Sequence, residues 1–181
     1  MSRMINLKNL FSEWGFTLKG LKDNRCGEWW LAGQLSIIVF QIMFFLIRIS
    51  KTGFDLPLAN LIFSFLMLLT GSFIGINGFI DLGKSLSPLP EPKQGSALIT
   101  NGLYKHCRHP IYQALIILSI GMLLYCMDLL NIILLVLLSI VLIGKAKREE
   151  VKLKSIHNLY KSYMEKTPAI FARVPIFDWR D

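Results

Sequence analysis

Cysteine is scarce in this sequence and is never paired at short spacing. The three cysteines, Cys26, Cys107 and Cys126, are odd in number and widely separated. Such a set gives neither a disulfide framework nor the closely spaced ligand pairs of a zinc site. We interpret all three as unpaired thiols in a reducing compartment or in lipid, and we predict no metal site.

Charge is also sparse. Charged residues make up 18% of the 181 residues, whereas 53% are hydrophobic, and the mean hydropathy is +0.49. A soluble domain of this length would carry more charge. The apolar residues also form runs near the roughly 20 residues that a helix needs to cross a bilayer. The composition predicts an integral membrane protein without a separate soluble domain. We expect the membrane, and no nucleic acid, as its partner, and the oligomeric state stays open.

The first 28 residues lack the continuous apolar core of a signal peptide. Their apolar residues recur at helical spacing with lysines between them, which is typical of a helix that lies in the membrane interface. We predict residues 1–28 as an interfacial amphipathic segment and residues 29–181 as the membrane domain.

Four apolar runs predict an all-α fold with about four transmembrane helices. In chain order they are Trp29–Ile49, Leu56–Leu82, Ile111–Met127 and Leu129–Ile143. Asp128 and Asn131 mark a tight turn between the last two. The residues from Gly144 onward predict an amphipathic C-terminal helix.

Glycine and proline divide the middle of the chain. Gly71, Gly75 and Gly78 share one face of the second span, where small residues let another helix approach closely. Three prolines within residues 88–92 predict an extended loop before the third span.

The basic residues predict the orientation in the membrane. We call the whole segment between the second and third spans, residues 83–110, the proline loop. Together with both terminal segments it carries 18 of the 20 lysines and arginines, and the turn between the last two spans carries none. By the positive-inside rule, both termini and the proline loop are expected on the cytosolic side.

Two polar groups then meet at that side. Arg108 and His109 precede Pro110, which suits the first turn of a helix, and the N-terminus of a helix favours an anion. Glu149 and Glu150 lie beyond the fourth span, where Glu149 shares a helical face with residues 160 and 163. A surface ion pair of Glu150 with Lys154, one turn later, is the alternative interpretation.

Together these residues resemble the motifs of a known protein superfamily. The ordered set resembles the isoprenylcysteine carboxyl methyltransferase and phospholipid methyltransferase superfamily over roughly residues 70–175. It comprises Gly102-Leu103-Tyr104, Arg108-His109-Pro110-Ile111-Tyr112, Glu149-Glu150, Tyr160-x-x-Tyr163 and the closing Arg173-Val174-Pro175. Leu103 stands where the family commonly has proline, and Ile156-His157 stands where it commonly has Phe-Gly.

The resemblance implies a membrane methyltransferase domain that uses S-adenosyl-L-methionine at the cytosolic face. Carried over, the residues of the cofactor pocket would be Tyr104, Arg108, His109, Tyr112, Glu149 and Glu150. The resemblance and the access from the bilayer also imply a lipophilic or lipid-tethered acceptor, either an isoprenylcysteine-type carboxylate or a lipid amine.

The catalytic candidates are Arg108 and His109. A carboxylate acceptor is already ionised at neutral pH, whereas an amine with a pKa near ~10 must first lose a proton. For an amine, His109 is the candidate base, ahead of His106.

Two other functions stay open. A haem-binding, isomerase-like membrane protein could use His106, His109 and His157 as axial ligands, and it would show a haem absorption band. A non-catalytic membrane subunit, in which the same residues only pack, would not bind adenosylmethionine.

Overall fold

A computed structural model describes residues 22–51, 56–92 and 95–180. All regular elements among them are helical, which confirms the predicted all-α fold. The helices are α1 (Glu28–Lys51), α2 (Leu58–Leu82), α3 (Pro110–Cys126), α4 (Leu129–Ile156) and α5 (Tyr160–Lys166), with 3₁₀ turns at Gly83–Ser85 and Gly102–Lys105. Most of the predicted interfacial segment, residues 1–21, lies outside the described residues.

Three helices, α1, α2 and α4, are long and apolar enough to cross a membrane. Helix α3 is also apolar but has only 17 residues, or roughly 25 Å of helix. Large apolar side chains on the outer faces are exposed, among them Phe63, Phe73 and Ile140. An apolar exterior of this kind suits lipid, so the fold is that of a helical membrane protein.

Helix α4 is longer than the sequence pattern indicated. We predicted that the span ends at Ile143 and that Gly144 begins a separate amphipathic helix, but the helix continues unbroken to Ile156. The residues after Gly144 are mostly lysine, alanine, arginine and glutamate, which are strong helix formers, so one glycine does not end the helix. The predicted final helix is in fact divided, because the chain leaves helical geometry at His157 and resumes it at Tyr160.

The glycine face of α2 packs against α3, so the close helix approach predicted for it is made within the chain. Gly71 and Gly75 lie against Ala114 on α3, with Leu118 also against Gly71, while Gly78 lies against Ile111. The α2–α3 contact is the most extensive between any two described elements, and α1 packs mainly on α4. Close packing of α2 therefore fixes the start of α3, where the polar residues lie.

We expect the two glycines of this face to differ sharply on substitution by alanine. A Cβ at Gly71 would lie 2.7 Å from Leu118 Cγ and 3.1 Å from the backbone oxygen of Ala114. At Gly75 it would lie 3.4 Å from the Ala114 Cβ, an ordinary contact. Gly71→Ala should therefore cost about 1–3 kcal/mol of unfolding free energy, as overpacking does. Gly75→Ala should be near neutral, since it also gains helix propensity. Thermal unfolding in detergent compares them, and equal melting temperatures would contradict this packing.

The C-terminal tail folds back onto the start of α3. The backbone N–H groups of Arg108 and His109 donate to the carbonyls of Pro168 and Ala169, at 2.9 and 3.0 Å. Gln113 Nε2 donates to the Ile170 carbonyl at 2.8 Å. Around these contacts lies a core shared by α3, α4 and the tail, formed by Tyr112, Ile116, Leu138, Leu142, Ala146, Ala169 and Ile170. The tail thus holds the entry to α3 in place.

Candidate functional site

Glu150 joins three other side chains inside the protein. Its Oε1 lies 2.9 Å from both Arg108 Nε and His109 Nε2, and its Oε2 accepts a hydrogen bond from Trp179 Nε1 at 2.7 Å. The Glu150 side chain is 4% exposed and that of Arg108 is fully buried. The alternative prediction, a surface ion pair with Lys154, is therefore wrong, because the continued turn of α4 places Glu150 inside and leaves Lys154 exposed.

Glu149 has a more open position than its neighbour. Its Oε2 accepts a hydrogen bond from the Tyr112 hydroxyl at 2.9 Å and lies 3.8 Å from His109 Nδ1. No described side chain donates to its other oxygen, and 26% of the side chain is exposed. The His109 and Tyr112 rings are stacked, with centroids 5.2 Å apart. Glu149 is thus the carboxylate that can reach a bound molecule.

Three tyrosines close the site from the other side. The Tyr163 hydroxyl donates to the backbone oxygen of Tyr104, and the Tyr160 and Tyr163 rings meet edge to face. The helix predicted to carry Glu149, Tyr160 and Tyr163 on one face is broken at His157. All three side chains nevertheless border the smaller cavity. Burial raises the pKa of all three phenols, so each stays protonated at neutral pH.

A turn at Gly102 sets the position of Tyr104. Gly102 has a positive φ of 57°, and the Asp81 carboxylate packs where a Cβ would stand. Asp81 Oδ2 accepts a hydrogen bond from the Leu103 N–H at 2.8 Å. The end of α2 therefore clamps the 3₁₀ turn that carries Tyr104.

Two cavities adjoin at these residues. The larger, of about 280 Å³, lies between α1, the end of α2 and the proline loop, and apolar side chains such as Leu31, Leu35 and Phe79 line it. The smaller, of about 60 Å³, lies between the proline loop and the C-terminal helices and has serine and tyrosine side chains in its wall. Both cavities are bordered by Leu82, Ser87, Tyr104, Arg108, His109 and Glu149.

All six predicted site residues lie close together in the structure, but they differ in which of the two cavities they border. Tyr112 borders the larger cavity, while Tyr104, Arg108, His109 and Glu149 border both. Glu150 borders neither of the two and lies behind Arg108 and His109, where it holds their side chains.

Sequence reasoning missed several residues of the site. Gln34 and Lys145 line the larger cavity, and Trp179 holds Glu150. Only Lys145 carried a local signal, since it precedes Glu149 by one helical turn. The others come from distant segments that only the fold brings in.

The described residues include no cluster of three or more histidine, cysteine, aspartate or glutamate side chains arranged to hold a metal ion. His109 has its Nε2 against Glu150 and its ring stacked on Tyr112. The polar groups at the junction are the Arg108 guanidinium, the His109 imidazole, the Glu149 carboxylate, and the Tyr104 and Ser87 hydroxyls, a set suited to binding a charged organic molecule.

One comparison with known proteins gives a match. A family model described as phospholipid methyltransferase matches residues 59–159. That range contains α2, the proline loop, α3 and α4 with all six predicted site residues, and it leaves out Gln34 and Trp179. No curated protein matches the chain significantly.

Proposed function

The chain belongs to the phospholipid methyltransferase family, and from that premise we propose that it transfers a methyl group from S-adenosylmethionine to a lipophilic or lipid-tethered acceptor. The family model covers more than half of the chain, so the protein is a membrane methyltransferase. The observation that carries the finer proposal is the pair of cavities, both lined mostly by apolar side chains, that meet at the polar side chains of Arg108, His109 and Glu149.

The side chains that line each cavity indicate which reactant it would bind. A lipophilic acceptor suits the larger cavity, whose apolar side chains come from the membrane helices α1 and α2. A charged, water-soluble donor suits the smaller cavity, which has serines from the proline-loop side and Tyr160 and Tyr163 from the C-terminal side in its wall. The smaller cavity is well below the roughly 300 Å³ at which ligand pockets begin. We therefore expect the proline loop to move outward when the donor binds.

Unsatisfied polar groups support a ligand in the smaller cavity. Arg108 Nη2 and the Tyr160 hydroxyl are buried without a hydrogen-bond partner among the described residues, and both side chains border this cavity. Buried donors without partners are costly, and a ligand carboxylate or hydroxyl would satisfy them. Adenosylmethionine offers both, together with a cationic amine and sulfonium that suit the half-buried Glu149 carboxylate. The residues fit the cofactor.

Adenosylmethionine supplies a methyl group on a sulfonium, which a nucleophile displaces in line. The protein then has to position two reactants and exclude water. Arg108 and Glu149 would hold the donor, while Tyr112 fixes Glu149 through its hydroxyl. Glu150 would act indirectly, by fixing Arg108 and His109.

The role of a base depends on the acceptor. An ionised carboxylate needs none, whereas an amine must lose a proton before it attacks. The buried phenols remain protonated, so they are not candidates. His109 is the candidate, because its Nδ1 lies 3.8 Å from Glu149, which borders both cavities.

We also propose that both termini and the proline loop face the cytosol and that α3 completes a fourth crossing. The charge asymmetry supports this orientation, since 18 of 20 basic residues lie on those segments. It would place the smaller cavity toward the cytosolic supply of adenosylmethionine.

Transfer of a tritium-labelled methyl group tests the proposal. Membranes that contain the protein should move the label from adenosylmethionine into a solvent-extractable lipid fraction. Glu149→Gln should reduce that transfer by about 100-fold or more, the scale of losing one charge-positioning group. Lys154→Met, a charge change on the exposed face of the same helix, should leave it unchanged. Efficient turnover of a fully water-soluble acceptor without membrane or detergent would contradict the proposal.

A further inference from the structure

Glu150 is restrained through both of its carboxylate oxygens. Its Oε1 lies 2.9 Å from Arg108 Nε and from His109 Nε2, and its Oε2 accepts from Trp179 Nε1 at 2.7 Å. The first set of contacts leads toward the two cavities, and the second leads to the C-terminal tail, residues 167–180. A glutamate carboxylate rotates easily about its last bond, so the bond from Trp179 fixes the place of Oε1 as well as that of Oε2.

The place of Oε1 sets the direction of the Arg108 guanidinium. Arg108 Nη1 donates to the Met164 carbonyl at 3.0 Å, and Nε faces Glu150. Because the guanidinium is planar, these two contacts determine where Nη2 points. Nη2 is buried without a hydrogen-bond partner among the described residues, and Arg108 borders the smaller cavity. A shift of Glu150 would therefore displace the group that is proposed to bind the donor.

Anchoring of the tail does not require the bond from Trp179. The carbonyls of residues 168–170 already join the tail to α3. Farther along, the tail is folded on itself, because the Ile170 N–H donates to the Phe177 carbonyl at 3.0 Å. Trp179 follows two residues later and directs its indole N–H to a carboxylate on α4. The indole N–H is thus an addition to a tail that other contacts already hold.

Glu150 would have a competing position without this bond. It also borders a cavity of about 270 Å³ together with Trp179 and the exposed lysines Lys147 and Lys154. The Lys147 ammonium lies 5.3 Å from the centre of the indole ring, which suits a cation–π contact. With the indole N–H absent, these two ammonium groups would attract the carboxylate away from Arg108.

We propose that Trp179 is a positioning residue of the cofactor site, which acts through Glu150 on Arg108 and His109. This inference rests on the proposed function. It extends the site from residues 59–159, the range of the family match, to the end of the C-terminal tail. Trp179 borders neither of the two cavities that meet at Arg108, so its effect on a bound donor is indirect.

Substitutions that separate the N–H donor from the ring test this. Trp179→Phe keeps an aromatic ring without the donor. Trp179→His has a smaller and more polar ring, but its Nε2 can take the place of the indole Nε1 and donate. S-adenosylmethionine is titrated calorimetrically into the full chain in detergent, and thermal unfolding is recorded for each variant.

Affinity and stability should change in opposite orders. A lost charge-assisted hydrogen bond corresponds to an affinity that is lower by about 10-fold or more in Trp179→Phe, and the histidine donor should restore it to within about 3-fold of the wild type. The melting temperature should be higher for phenylalanine than for histidine, because phenylalanine buries more apolar area. Phe177→Leu is the matched control, since it destabilises the same tail but keeps the indole N–H, and its affinity should stay near the wild-type value.

Two outcomes would overturn the inference. One is wild-type affinity in a folded Trp179→Phe, and the other is an affinity that follows the melting temperature, with histidine below phenylalanine, because stability would then explain both. Where Trp179→Phe does not fold, 3-benzothienylalanine at residue 179 replaces the N–H by sulfur in a ring of the same shape and should show the same loss. Absence of binding by the folded wild type would reject the proposed function as well, whereas binding that these variants retain would reject this inference alone.

Discussion

Glu150→Gln is expected to destabilise the protein by about 3–5 kcal/mol, the cost of breaking a buried ion pair. The substitution removes the charge that faces the fully buried Arg108 at 2.9 Å and weakens the contacts to His109 and Trp179. The guanidinium would then remain inside the protein without a carboxylate. For a chain of this size, the melting temperature in detergent should fall by roughly 6–20 °C.

Glu149→Gln is the matched control, since it makes the same change at the adjacent residue. Its side chain is 26% exposed, and a glutamine oxygen can still accept from the Tyr112 hydroxyl. We expect its stability to stay within about 1 kcal/mol of the wild type and the variant to lose methyl transfer instead. A larger loss of melting temperature in Glu149→Gln than in Glu150→Gln would contradict the assignment of the buried position.

Gly102→Ala is expected to disrupt the site more than any other alanine substitution of a glycine in a turn. An alanine at the φ of 57° costs about 1–2 kcal/mol on its own. Its Cβ would also collide with the Asp81 carboxylate, which accepts from the Leu103 N–H. Displacing that carboxylate releases the turn that carries Tyr104, so both stability and adenosylmethionine binding should fall, the binding by about 10-fold or more.

Gly83→Ala separates the cost of the backbone conformation from the cost of a collision with the Asp81 carboxylate. Gly83 also has a positive φ, 49° with ψ at −120°, but among the described residues no atom beyond its chain neighbours lies within 4 Å of the place of its Cβ. It should therefore show the cost of the backbone conformation alone, with adenosylmethionine binding near the wild-type value. Equal effects on binding at Gly83 and Gly102 would show that the Asp81 clamp is unimportant for the site.

The residues that the sequence pattern identified are those whose chemistry and spacing are local. Pro110 at the first turn of α3 predicted where Arg108 and His109 would stand, and the apolar runs predicted the long helices. Which of Glu149 and Glu150 is buried and which borders the cavities was not predictable in the same way. Adjacent helical residues point about 100° apart, so which of them is buried depends on whether α4 continues through Gly144 in register.

The remaining parts of the site depend on tertiary contacts. Trp179 reaches Glu150 only because the tail folds back along α3, and Gln34 reaches Lys145 only because α1 packs on α4. Their sequence neighbours carry no recognisable motif. Lys145 stands in the sequence at the start of a charged run, and its burial against Gln34 became apparent only in the fold.

Calorimetric titration of S-adenosylmethionine into the detergent-purified full chain tests the central claim most directly. The account predicts micromolar binding, on the order of −8 kcal/mol, by the wild type, with the affinity reduced at least about 10-fold in a folded Glu149→Gln and unchanged in Lys154→Met. Absence of binding by a wild-type protein that circular dichroism shows to be folded would contradict it.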